Sequence, residues 1–171
     1  MSLRGKSCRL AVLVSVGFVL PGPSAGQVAE PDSRYVLVRS PAALEITRAL
    51  RGALRKLQNP SCRQLLDDFT DREGRPLRER LGPSTPDAYL ARLAIRDGEI
   101  PKGSGRCASS GAAAFTLDGA AVFVCGTSFQ TQSRAARENA FIHEMLHTLG
   151  LRENPPSSAE ISRRVAERCG G

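Results

Sequence analysis

The chain has 171 residues, five cysteines, no tryptophan and a formal net charge of +7, and 41% of it is hydrophobic. That length suits one domain with a core of its own. The basicity is mostly arginine and forms no cluster interleaved with aromatics, so a nucleic-acid partner has little support and a solvated basic surface is the preferred reading.

Residues 1–26 have the three-part layout of a secretory signal peptide: a basic start (Arg4, Lys6, Arg9), an apolar run from Leu10 to Leu20, and small residues around Ser24, Ala25 and Gly26. The run is short for a membrane span. The expectation is cleavage near Gly26, a secreted or periplasmic product, and no stable membrane insertion afterwards. Cys8 precedes the apolar run, which argues against a lipoprotein. Cleavage removes three cations and no acids, taking the net charge from +7 to +4. It also removes Cys8 and leaves Cys62, Cys107, Cys125 and Cys169. An even count in an exported chain argues for two disulfides, with three possible connectivities. None of the four has the C-x-x-C spacing of a zinc knuckle.

Residues 27–33 read as a flexible leader and 34–171 as the folded domain. Tyr35–Val38 is a short β-rich run. Ser40 and Pro41 then offer an N-cap and a first-turn proline. Ile46, Leu50, Leu54 and Leu57 follow at helical spacing, and Asn59-Pro60 is expected to end that helix. "CRQLLDDF" (62–69) fits a helical turn or a strand, and "REGRP" (72–76) is a turn. Asp67, Asp68, Asp71 and Glu73 invite calcium. Phe69, however, stands where the calcium-loop pattern needs an oxygen ligand, and solvated acidic surface is the simpler reading. Thr85-Pro86 opens a helix through "DAYLARL", which Asp97-Gly98 is expected to close.

Asp118-Gly119 between two apolar runs marks a β-hairpin, with strands near Ala113–Leu117 and Ala120–Val124. After "CGTSFQTQ", Ser133 can cap a helix running to Leu149. Ser157 and Glu160 form a capping box that opens the last helix, where Ile161, Val165 and Cys169 share a core-facing stripe. Cys107 and Cys125 flank the hairpin, so the suggested pairing is Cys107–Cys125 and Cys62–Cys169. Tyr35 and Tyr89, the only tyrosines, read as packing residues.

The helix from Ser133 carries the chemistry. Ala136, Ala140, His143, His147 and Gly150 share one stripe, and Ile142, Met145, Leu146 and Leu149 form a buried back. Two imidazoles at i, i+4 can reach one ion, and Glu144 between them can act on a metal-bound water without ligating the metal. Hydrolytic zinc sites use three protein ligands and keep one position open. The chain has only two histidines, so the third group is a carboxylate, a cysteine or none, and disulfides make cysteine a poor candidate.

"HEMLHTLGLRE" (143–153) resembles the zincin metallopeptidases, in particular the metzincin form H-E-x-x-H-x-x-G-x-x-H/D, matched at His143, Glu144, His147 and Gly150. The resemblance covers eleven residues and, loosely, the preceding hairpin-then-helix order. It implies an α+β fold: a minimal zincin-like domain whose small sheet and hairpin pack against the HExxH helix. It also implies Zn2+ as cofactor, Glu144 as general base, and a turn at the glycine that returns the third ligand. Glu153 takes that ligand's place here, and no methionine follows the helix to form a Met-turn. The chain is thus similar to a small bacterial exported zincin outside the main subfamilies. Glu160 competes as third ligand, as a glutamate on a following helix does in gluzincins, but its capping role explains it without metal, so Glu153 is favoured. The expected function is an exported, disulfide-stabilised zinc metalloendopeptidase acting on peptides or proteins. The alternative is an exported binding or structural module with a structural or inactive zinc site.

Overall fold

Apolar stripes, capping residues and one short sheet build the frame in a computed structural model that describes residues 36–38, 41–100, 104–117 and 121–170. The signal-peptide and leader readings, Tyr35, Ser40 and the Asp118-Gly119 turn lie outside these residues. The elements in chain order are β1 (Val36–Leu37), α1 (Ala43–Lys56), α2 (Pro60–Asp68), α3 (Leu77–Leu81), α4 (Pro86–Ala91) and β2 (Ala94–Asp97). Then come α5 (Ser104–Ser110), β3 (Ala114–Leu117), β4 (Ala121–Val124), α6 (Gly126–Thr131), α7 (Arg134–Thr148) and α8 (Ser158–Cys169). This is an α+β domain held by two disulfides.

The four-stranded sheet has the order β1-β2-β4-β3. β1, β2 and β4 run parallel, and β3 returns antiparallel to β4 with Phe115 opposite Phe123 and Thr116 opposite Val122. Among the described residues β3 is therefore an outer strand. Helix α7 packs on β3 and β4 through its buried back and is flanked by α1 and α8. Ile142, Met145 and Leu146 are fully buried there with Phe141, whose ring meets Phe129 edge-on at 5.7 Å. Ile46, Leu50, Leu54 and Leu57 of the α1 stripe join the same core.

Several expectations need correcting. Asn59-Pro60 does not end α1, which stops at Lys56; it starts α2. Asn59 accepts a hydrogen bond from the Ser61 amide at 2.9 Å, and Pro60 fills the first helical position. An asparagine before a proline is a helix opener as well as a breaker, and here two helices nearly abut. The N-cap position of α1 belongs to Ala42, without a side-chain cap, rather than to Ser40. The helix opened by Thr85-Pro86 ends at Ala91, and Ala94–Asp97 is a strand. Both neighbours, β1 and β4, pair with it, and Ile95 at its centre is fully buried. Pairing on both edges overrides a weak local preference. The short helices α3, α5 and α6 have no counterpart in the periodicity.

The disulfides join Cys62 to Cys169 and Cys107 to Cys125. The first ties α2 to the end of α8 across 107 residues, and the second ties α5 to the end of β4 across 18. In the chain-entropy account, loops of these lengths stabilise by about 5 and about 3 kcal/mol. Replacing each pair by alanine should lower the unfolding free energy by about these amounts in urea titrations. Unchanged midpoints, or free thiols on non-reducing peptide mapping, would contradict the pairing.

Candidate metal centre

The site begins with the start and stop of α7. Ser133 Oγ accepts the Ala136 amide at 3.2 Å and opens the helix. At the other end Gly150 adopts φ +104°, a conformation that L side chains rarely take. The Gly150 amide donates to the His147 carbonyl at 3.0 Å and the Leu151 amide to the Leu146 carbonyl at 3.1 Å. Together they form a Schellman cap. The reversed chain lays Leu151 and Glu153 back across the last turn.

His143 and His147 face each other there, with their Nε2 atoms 3.0 Å apart. Glu153 Oε1 lies 3.3 Å from His147 Nε2 and 3.7 Å from His143 Nε2. Among the described residues this is the group of histidine, cysteine and acidic side chains that could hold a metal ion. The donor geometry fits. A tetrahedral ion with bonds near 2.0–2.1 Å separates its ligand atoms by about 3.3 Å. His147 Nδ1 lies 2.9 Å from the Leu151 carbonyl, which can only accept, so Nδ1 carries the proton and Nε2 presents a lone pair. His143 Nδ1 sits 3.1 Å from Ser162 Oγ on α8. Burial, and then the neighbouring His147, push the His143 pKa down to about 4, which keeps its ring in the neutral state that ligates.

Glu144 is buried beside the histidines, and Thr116 of β3 donates to its Oε2 at 2.8 Å. Burial raises the Glu144 pKa against the opposing pull of the Thr116 hydroxyl. The histidines, Glu144 and Glu153 line a cleft of about 1060 Å³. A second cavity of about 480 Å³, lined largely by small residues including Ala136 and Ala140, meets it at Ala112, Ala114, His143, Glu144 and Ser158.

No protein-family model, curated protein or solved structure matches this chain. Function therefore rests on the chemistry of these residues.

Glu160 stands elsewhere. Its amide donates to Ser157 Oγ at 3.2 Å, but its carboxylate completes no capping box and pairs instead with Arg163 at 2.6 Å and Arg164 at 3.2 Å. Those bonds, Arg163 first, hold its carboxyl below the usual range. The acidic residues weighed for calcium are likewise held by arginine: Asp67 by Arg78, Asp68 by Arg168, and Asp71 and Glu73 by Arg75. Tyr89 donates to Thr148 Oγ1 at 3.2 Å and steadies the last turn of α7. Thr116, Ser162 and the Leu151 carbonyl escaped the sequence reading, because nothing about a lone hydroxyl or a backbone oxygen marks it as a partner of residues elsewhere in the fold.

Glu153→Ala is expected to weaken divalent-metal binding strongly, and Ser162→Ala by about tenfold or more through His143. Glu160→Ala should leave it intact. Chelator-competition titrations decide this, and parental affinity in Glu153→Ala would remove Glu153 from the site.

Proposed function

We propose that this chain is an exported zinc-dependent metalloendopeptidase. The observation that carries the reading is the convergence of His143, His147 and Glu153 beside a buried Glu144 inside an open cleft. Two imidazoles and a carboxylate suit zinc. The same donors can serve iron(II), but a carboxylate set between the histidines and outside the ligand group is what hydrolysis needs. A structural zinc takes four protein ligands in a closed site, so three ligands facing a cleft speak for catalysis. The two disulfides fit an oxidising compartment. No helix of the described residues is long and apolar enough to cross a membrane.

Bound zinc supplies an acidified water and a Lewis acid for the carbonyl under attack. The chain's own residues do the rest. Thr116 holds one oxygen of Glu144 and leaves the other to take the water's proton and return it to the leaving amine. A carboxylate with its pKa raised by burial suits a group that must both accept and give up that proton. The Leu151 carbonyl and Ser162 fix the two rings, which limits the reorganisation that binding requires. Outer strand β3 contributes Ala114, Phe115 and Thr116 to the cleft. An extended peptide adding to that edge would carry its backbone past the histidines.

Metal analysis of the mature protein with a peptide-library digest tests the reading. Glu144→Gln should keep zinc and lose hydrolysis by about 10² or more, whereas His147→Ala should lose the metal. Equal hydrolysis by Glu144→Gln and parent would sink the mechanism.

A further inference from the structure

Close ion pairs lie away from the cleft, among them Arg78 on Asp67 at 2.7 Å, Arg168 on Asp68 at 2.8 Å, and Arg163 on Glu160 at 2.6 Å. The cleft is different. Arg72, Arg80, Arg106 and Arg152 all line it, and all four are exposed. Arg72 reaches Glu73 only at 3.9 Å and Arg80 reaches Asp71 only at 3.9 Å, while both acids are bonded more closely by Arg75, at 3.2 and 3.0 Å. Arg106 lies over the Phe115 ring at 5.8 Å, and Arg152 has no ion pair among the described residues.

The arginines come from both walls. Arg106 stands on α5 above β3. Arg72, Arg80 and Arg152 belong to the wall where the Asp71 turn packs beside Gly150. Against them the cleft offers only Glu144 and Glu153, which the metal chemistry already employs. A concave surface with four loosely paired guanidinium groups attracts and orients carboxylates. The adjoining cavity, with its alanines and no cation, has no such preference.

We propose that the cleft selects peptides carrying Asp or Glu side chains beside the bond to be cut, a specificity that rests on the hydrolase reading above. Guanidinium groups on both walls would grip carboxylates on an extended chain running along β3. A run of lysines would be repelled.

The test uses the zinc-loaded mature protein and three peptides of one cleavable core, flanked by glutamates, glutamines or lysines. The expected order of kcat/KM is glutamate, glutamine, lysine, with about tenfold or more between the extremes at low salt, since two or more exposed pairs act together. The spread should shrink at about 0.5 M salt. Arg106→Glu with Arg152→Glu should reverse the order, and Arg55→Glu, outside the cleft, should not. Equal rates for all three peptides, or an order unmoved by the cleft substitutions, would overturn the inference while leaving the hydrolase reading standing. Fluorescence anisotropy of the same peptides on zinc-loaded Glu144→Gln separates the opposite case. Acidic preference in binding without cleavage by the parent would uphold the cleft and defeat the hydrolase, and no preference in binding would overturn the cleft.

Discussion

The turn at the end of α7 performs three tasks with adjoining residues, and the site depends on it. Gly150 takes a left-handed conformation, and a Cβ there would approach the Cβ of Asp71 to 3.3 Å. Its left-handed φ reverses the chain within one residue. The reversal sets the Leu151 carbonyl on His147 Nδ1 and so settles which nitrogen carries the proton. Two residues later Glu153 meets both Nε2 atoms. Helix cap, tautomer and third donor thus follow from one backbone conformation. Asp71 secures the neighbouring turn: its carboxylate accepts the Glu73 and Arg75 amides at 2.9 Å, and although burial raises its pKa, these bonds together with the Arg75 guanidinium hold it below the usual range.

The rest of the domain keeps that turn and its helix in place. Helix α8 supplies Ser162 to His143, and α8 is itself fastened to α2 twice, by Cys62–Cys169 and by Arg168 on Asp68 at 2.8 Å. On the other side Thr116 reaches Glu144 from the sheet edge. Cys107–Cys125 holds α5, with Arg106, against the strand paired to that edge. Each cross-link therefore braces one wall of the cleft. Rigid support of this kind limits the reorganisation that a metal centre must undergo on binding.

Local chemistry explains which parts could be read from the sequence. Thr85, Ser133 and Ser157 cap their helices because a hydroxyl before a helical run has one good use there. The α7 stripe separates histidines from core through its own 3.6-residue period, and the strands expected on either side of Asp118-Gly119 are β3 and β4, each starting one residue later than expected. Cys169 shares a buried stripe with Ile161 and Val165, which left a core partner as its natural mate. What escaped is what distant contacts decide. β2 is a strand because β1 and β4 flank it, and Thr116 and Ser162 matter only once the sheet and α8 stand against α7. The arginine partners of the acidic run Asp67–Glu73 could not be read for the same reason, since they include one from the far end of the chain.

The central claim is that His143, His147 and Glu153 hold one zinc ion and leave a coordination position for water. X-ray absorption at the zinc edge of the zinc-loaded protein tests it most directly. The account requires one zinc per chain, a first shell of nitrogen and oxygen alone at about 2.0–2.1 Å, and two imidazole scattering patterns. A sulfur shell near 2.3 Å, or a spectrum with a single imidazole, would contradict it.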